Sequence, residues 1–290
     1  MESLAIIAEF NPFHTGHARL IHQVRQAAGP EAAIVIIMSG AFVQRGEPAF
    51  FDKWHRAAWA IDSGADVVIE LPAVYALSSA AGFAQGGVTL AACLGCQALA
   101  CGVEGGTAAD FLSLAHRAEG LTACLKAAKK ASAGQQLTDA LMAAAPDEAR
   151  LLQQPNALLA FEYARAMLKQ EQPLTFLPLP RQGRHGDTGL GAAFASASAL
   201  RQAMRCSGTA AACRPYLTAA SLAGAEDQLA QGAFTDYGRY GDFVASQNRL
   251  LTPDQLRSLP AFTEGLENRW HRAFMESGSY DQALRSIKTR

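Results

Sequence analysis

The sequence of 290 residues contains no uninterrupted apolar run long enough to span a membrane, and no basic segment leads into an apolar stretch at its start. These absences argue against a membrane span and a secretory signal peptide, so we expect a cytoplasmic protein without a membrane partner. The net charge of −1 neither indicates nor excludes a nucleic-acid partner. Internal repeats are also absent, and a chain of this length can bury the core of one or two domains.

The six cysteines do not form the pattern of a zinc site. Cys93 and Cys96 have the spacing of a ligand pair, but no second Cys or His pair follows at the usual interval. We therefore predict buried free thiols, no disulfides and no metal held by protein side chains.

Short apolar runs alternate with helical patterns over the first hundred residues. This alternation predicts an α/β fold with a Rossmann-like parallel sheet. The predicted strands lie at residues 4–8, 32–38, 66–71, 96–101 and 173–180. In the helix predicted at residues 52–63, Ala57, Ala58 and Ile61 share the apolar face, and Arg56 lies elsewhere on the helix.

The remaining sequence is mainly helical. Residues 1–195 are predicted to form the sheet domain, with a helical insertion at about 107–153. Residues 196–290 are predicted to form a mainly helical C-terminal region, which opens with Ser196 as a helix N-cap. Alternatively, the Ser and Arg residues at this helix start bind phosphate.

The most informative segment runs from residue 4 to residue 20, where an apolar strand leads through a Pro-containing loop into a helix that begins with His14-Thr15-Gly16-His17. A helix start presents unpaired amide groups to an anion, and Gly16 permits close approach. The two histidines could instead serve only as a cap and as packing. The strand–loop–helix context favours the nucleotide-binding interpretation, since HxGH is the signature of nucleotidyltransferases.

A second loop, residues 39–48, follows the second predicted strand and contains Ser39, Gly40 and Arg45. Ligands bind beside the carboxyl ends of the strands in open α/β sheets, so this loop is either a ligand-binding element or an ordinary connection. The candidate phosphate or acetate contacts are Ser39, Gly40, Arg45 and Lys53.

Several longer motifs occur in a fixed order along nearly the whole chain: NPFHTGH, MSGAFVQRGEPAFFDKWHRAAWAIDSGADVVIELP, CGVE, PNALLAFEY, SASALR and EGLEN. In this set the chain resembles the tRNA(Met) cytidine acetate ligase family. The resemblance implies a ligase that activates acetate with ATP as acetyl-adenylate. It also implies transfer of the acetyl group to the wobble cytidine of elongator tRNA(Met), which forms N(4)-acetylcytidine.

The resemblance also implies which residues bind ATP, with Mg²⁺ accompanying the phosphates. His14 and His17 are the expected catalytic residues. The expected ATP contacts are Ile7, Ala8, Glu9, Phe10, Asn11, Pro12, Phe13, His14, Thr15, Gly16, His17, Ala18, Arg19, Leu20, Gly102, Asn156 and Arg181.

The chain departs from the family pattern at Val103, where members usually carry Ser, and at Ala41, where they usually carry Asn. Members also continue past residue 290 into a basic helical segment, so we expect the C-terminal region of this chain to be shortened and to face tRNA.

Two other functions are compatible with the HxGH motif. One is an adenylyltransferase that acts on a small phosphorylated substrate without RNA. The other is a nucleotide-responsive RNA-binding protein without catalysis. Acetate-dependent pyrophosphate release and the identity of the product distinguish the three hypotheses.

Overall fold

The computed structural model describes residues 2–44, 46–127, 133–181, 195–262 and 265–287. The chain divides into two compact units, Met1–Phe234 and Thr235–Arg290. Among the described residues, every helix is too short or too polar to cross a bilayer.

The first unit is built on a parallel sheet of five described strands in the order β3-β2-β1-β4-β5. The strands are β1 (Ser3–Ala8), β2 (Ala33–Ser39), β3 (Val67–Leu71), β4 (Ala98–Val103) and β5 (Thr175–Pro180). All five lie within one or two residues of the predicted positions, so the predicted α/β fold with a Rossmann-like parallel sheet is confirmed. The strand order reverses between β1 and β4, which is the position where sheets of this kind bind ligands.

Helices cover both faces of this sheet. In chain order they are α1 (Thr15–Ala28), α2 (Lys53–Asp62), α3 (Ala73–Ala76), α4 (Ala80–Cys93), α5 (Ala108–Ala127), α6 (Ala133–Ala144), α7 (Pro146–Ala149), α8 (Pro155–Met167), α9 (Ala197–Ser207) and α10 (Ala219–Ala230). A 3₁₀ turn at Arg150–Gln153 lies between α7 and α8, and another at Ala211–Tyr216 lies between α9 and α10.

The main core lies between the sheet and helices α4, α5 and α8. Ala5 and Ile7 of β1 belong to this core. The alternate residues Leu4 and Ile6 are also buried. A strand buried on both faces requires a continuous apolar sequence rather than an alternating one, which explains the run at the start of β1.

Helix α2 turns a different face inward from the one predicted. Arg56, Trp59 and Ala60 are buried, whereas Ala58 and Ile61 are exposed. The predicted apolar face of this helix was therefore wrong. Arg56 can be buried because its guanidinium donates hydrogen bonds to backbone carbonyl groups.

The first unit extends past the predicted domain limit at residue 195. Ser196 caps α9 as predicted, since its hydroxyl accepts a hydrogen bond from the amide of Ala199 at 3.1 Å. Helix α10 packs on α2, and the Phe234 ring lies 5.4 Å from that of Phe50. These contacts join residues 196–234 to the sheet domain.

The second unit contains the helices α11 (Tyr237–Leu250), α12 (Pro253–Arg257), α13 (Leu266–Glu276) and α14 (Tyr280–Ile287). A small core of its own includes Ala245, Phe274 and Ile287. Trp270 donates from Nε1 to Asn248 Oδ1 at 2.6 Å, which ties α13 to α11. This part of the chain is mainly helical, as predicted.

Candidate functional site

A cavity of about 460 Å³ opens at the carboxyl ends of β1 and β4, where the strand order reverses. Its walls come from the loop after β1, the first turns of α1, and residues that follow β4 and β5. The position is the one expected for a ligand site in an open parallel sheet.

His14 is the N-cap of α1. Its Nδ1 accepts a hydrogen bond from the amide of Gly16 at 3.0 Å. His17 Nδ1 accepts in turn from the amide of His14 at 3.3 Å. The amide of His17 donates to the carbonyl oxygen of His14 at 2.9 Å. The amides of His14, Gly16 and His17 are therefore used within this segment, and the imidazoles become the groups that can meet a ligand.

These hydrogen bonds set the tautomer of both rings. A backbone amide can only donate, so each Nδ1 is an acceptor and each neutral ring carries its proton on Nε2. In His14, Nε2 is buried and has no hydrogen-bond partner among the described residues. Because a buried N–H group without a partner is costly, this donor is suited to a ligand oxygen in the cavity that His14 lines.

Both histidines are held in the neutral form. Burial, followed by the nearby charge of Arg181, lowers the pKa of His14 to about 3. Burial holds the pKa of His17 well below its ordinary value of 6.5, and electrostatic repulsion of a protonated His17 by His14 and Arg181 lowers it further. At neutral pH the site therefore offers uncharged imidazole donors, and the positive charge comes from Arg181.

Three residues from separate elements form a chain of hydrogen bonds beside the cavity. Arg181, just after β5, donates from Nη1 to Asn156 Oδ1 at 3.2 Å. Asn156, in the first turn of α8, donates from Nδ2 to Glu104 Oε1. The amide of Arg181 donates to the carbonyl of Val103 at 2.8 Å, which fixes its position beside Gly102.

The cavity is also lined by Arg201 of α9, from the helix start where the sequence left a phosphate contact by Ser and Arg as an alternative to a plain cap. Its Nη1 donates to the carbonyl oxygen of Asn11 at 2.5 Å, and its Nη2 donates to Ser198 Oγ at 3.2 Å. The only sequence signal was the SASALR motif, in which Ser196 serves as a cap while Ser198 and Arg201 line the cavity.

The loop after β1 is fixed from its other side by Arg56, which is completely buried. The Arg56 guanidinium donates to the carbonyl groups of Glu9 at 2.5 Å, of Ser39 at 3.1 Å and of Gly40. The ends of β1 and β2 are thereby joined through one side chain. Phe10, inside this loop, has a positive φ of 49°, a strained conformation for a residue with a side chain.

Most of the predicted ATP contacts lie around the cavity. Those that line it are Ile7, Ala8, Glu9, Phe10, Asn11, His14, Thr15, Gly16, His17, Arg19, Leu20, Gly102, Asn156 and Arg181.

The other predicted residues lie elsewhere. Pro12, Phe13, Ala18, Ser39, Gly40 and Lys53 are placed outside the cavity lining. Lys53 forms an exposed ion pair with Glu70 at 2.5 Å. Arg45 lies outside the described residues, as does the chain from 182 to 194 that follows Arg181.

A family model described as HIGH Nucleotidyl Transferase matches residues 1–290 of the chain. Relatives named tRNA(Met) cytidine acetate ligase include a protein of Latilactobacillus sakei, 36% identical, with 100% of this chain and 73% of the relative covered. Another, from Pediococcus pentosaceus, is 35% identical, with 100% and 75% covered.

Two crystal structures of Thermotoga maritima TmcAL have the same fold and are 30% identical in sequence. The apo form matches with a TM-score of 0.91, covering 100% of this chain and 72% of the other. The form bound with alpha-thio ATP matches with a TM-score of 0.88, covering 100% and 71%.

Proposed function

The chain belongs to the tRNA(Met) cytidine acetate ligase family, and on that basis we propose that it acetylates the wobble cytidine of elongator tRNA(Met) with acetate and ATP. The relatives' names support the overall reaction, and the ATP analogue bound to the Thermotoga maritima protein supports the nucleotide. The cavity at the reversal of the strand order is the proposed ATP site.

The reaction proceeds in two steps. A carboxylate oxygen of acetate attacks the α-phosphorus of ATP, which breaks the bond to the β,γ-phosphates and releases pyrophosphate. The exocyclic amine of cytidine then attacks the acyl carbon of acetyl-adenylate. AMP leaves, and the amine loses one proton to give N(4)-acetylcytidine.

The observation that carries this proposal is the buried, unpartnered Nε2–H donor of His14 in the cavity, with Arg181 nearby. Attack at phosphorus requires positioning and stabilisation of charge on the phosphoryl oxygens, rather than a covalent contribution from the protein. Neutral imidazole donors and one guanidinium supply both.

Among the remaining ATP contacts, we propose that Gly102 and Asn156 hold the nucleotide from the side opposite the histidines. Ser39, Gly40, Arg45 and Lys53 stay candidate phosphate or acetate contacts, and Mg²⁺ is proposed to enter with the phosphates of ATP. A cytoplasmic location is proposed from the tRNA substrate.

The test is to incubate the chain with ATP, acetate and tRNA(Met), and to analyse digested nucleosides by mass spectrometry. We expect N(4)-acetylcytidine that depends on both acetate and ATP. Pyrophosphate release is measured in parallel without tRNA, which separates acetate activation from acetyl transfer. Absence of N(4)-acetylcytidine from the complete mixture of chain, ATP, acetate and tRNA(Met) contradicts the proposed function.

A further inference from the structure

Glu104 lies directly after β4 and is connected to the proposed ATP site through Asn156. Its Oε1 accepts the hydrogen bond from Asn156 Nδ2, and Asn156 Oδ1 accepts the one from Arg181 Nη1. Asn156 and Arg181 line the cavity, whereas Glu104 is outside its lining.

The three side chains can be ordered in only one way. A carboxylate only accepts hydrogen bonds, and a guanidinium only donates them. An amide between the two is satisfied in a single orientation, with its nitrogen toward Glu104 and its oxygen toward Arg181. Without the carboxylate, both orientations of the Asn156 amide become accessible, and one of them turns its NH₂ group toward the guanidinium.

The environment of Glu104 also points to a role beyond packing. Its Oε2 is buried and has no hydrogen-bond partner among the described residues. Burying a carboxylate oxygen without a partner is unfavourable, and native proteins tolerate this mainly where function requires it.

We propose that Glu104 is a positioning residue of the nucleotide site, which fixes the amide orientation of Asn156 and, through it, the guanidinium of Arg181. This inference rests on the proposed ATP site. Glu104 itself does not contact ATP in this arrangement. Its effect on the affinity for ATP therefore depends on Asn156.

A purely electrostatic role predicts the opposite sign from a positioning role. The negative charge of Glu104 opposes the binding of polyphosphate, so removal of the charge alone cannot weaken the affinity for ATP. Loss of the acceptor weakens it, because Asn156 and Arg181 are no longer held in place. Glu104→Gln removes the charge and keeps an acceptor oxygen, whereas Glu104→Ala removes both.

The experiment measures the Kd for ATP of the complete chain by calorimetry. We expect Glu104→Ala to weaken binding by about tenfold, as for loss of a hydrogen bond to a charged group. We expect Glu104→Gln to bind as tightly as the parent protein, or more tightly. In the Asn156→Ala background, Glu104→Ala should change Kd by less than about twofold, because interacting residues are not additive.

Asp110 provides a matched control in the same segment. Its carboxylate accepts from the amide of Thr107 at 2.7 Å and from the hydroxyl of Thr107 at 2.8 Å, both at the start of α5. Asp110→Ala should leave the Kd for ATP within about twofold of the parent value. Should Glu104→Ala fail to unfold cooperatively, Glu104→Met fills the space without an acceptor and carries the same expectation.

Equal weakening by the Gln and Ala variants would overturn the inference, and so would additive effects of Glu104→Ala and Asn156→Ala. An unchanged Kd for ATP in Glu104→Ala also refutes the role of Glu104. If the parent protein binds ATP, that result does not contradict the proposed ATP site. Absence of ATP binding by the parent protein refutes the proposed site itself.

Discussion

The imidazole rings of His14 and His17 stack with their centroids 3.8 Å apart and an interplanar angle of 26°. The capping box at the N-terminus of α1 holds the pair in place. Burial lowers the pKa of each ring, and Arg181 lowers it further. Two cationic rings in this arrangement would repel each other and Arg181, so the geometry requires neutral histidines.

The stability of the first unit should fall as the pH is lowered from 7 toward 4. The pKa of His14 is about 3 in the folded state and about 6.5 when the chain is unfolded. Below pH 6.5 the unfolded state therefore binds more protons, and each such histidine lowers the free energy of unfolding by up to about 1.4 kcal/mol per pH unit. Urea unfolding between pH 4.5 and 7.5 measures this slope.

His14→Gln serves as the control for this titration, because glutamine keeps a polar side chain without the ionisation. The slope of the variant should be shallower than that of the parent protein across the same pH range. Identical slopes would show that His14 is protonated equally in both states.

His17→Ala should lower acetate-dependent pyrophosphate release by more than about 100-fold, as expected for loss of one transition-state donor. The substitution also removes a ring that lies 4.8 Å from Phe10. Cooperative urea unfolding must therefore be checked alongside the rate. Turnover at the parent rate would exclude His17 from the mechanism.

Arg201→Ala should weaken ATP binding by about 10-fold or more, because loss of a charged hydrogen bond frees the loop at Asn11. Arg201→Lys should restore little of the affinity, since one ammonium group does not reproduce the fork that reaches both Asn11 and Ser198. Arg205, which is exposed on the same helix, supplies the control. Equal losses in Arg201→Ala and Arg205→Ala would indicate a general effect of charge on ATP binding.

Arg56→Ala should lower the free energy of unfolding by more than about 3 kcal/mol, because several buried carbonyl groups lose their donor. Lys53→Ala, three residues earlier on α2, should cost no more than about 1 kcal/mol, since its ion pair with Glu70 is exposed. Chemical denaturation of both variants gives the comparison. A similar small loss in both would mean that the guanidinium does not support the loop.

Gly87→Ala in α4 should destabilise the first unit by about 1–2 kcal/mol. This value is the energetic cost of overpacking minus the gain in helix propensity. An added Cβ at Gly87 would lie 2.5 Å from Cδ1 of Ile7 in β1. At Gly120 in α5 the added Cβ meets no described atom within 4 Å apart from the backbone of its own helix. Gly120→Ala should therefore stabilise by about 0.5–1 kcal/mol. Thermal melts of the pair suffice, and equal shifts would contradict the packing of α4 on β1.

The strands were predictable because a parallel strand covered on both faces needs a continuous apolar run, and 4–8 and 32–38 are runs of this kind. The cap at Ser196 was predictable for a local reason as well, since its hydroxyl bonds an amide three residues away. Local patterns of this type require no knowledge of the tertiary structure.

The roles of Arg56 and Arg201 were not predictable in this way. Helical spacing places a charged residue on the outer face of a helix, yet Arg56 is completely buried because carbonyl groups from two strand ends converge on it. Arg201 is held at the cavity by a hydrogen bond to the carbonyl group of Asn11, which lies 190 residues earlier in the chain. Neither carbonyl positions nor such distant pairs can be derived from residue type and spacing.

Asn11 links the two ends of the first unit. Its side-chain oxygen accepts from the amide of Phe50 at 2.8 Å, while its carbonyl oxygen accepts from Arg201. We therefore expect a nucleotide that orders this loop also to order α9, and by reciprocity we expect the docking of α9 to raise the affinity for the nucleotide. The amides of α9 should exchange more slowly with solvent deuterium when the site is filled, which makes this helix a reporter of occupancy.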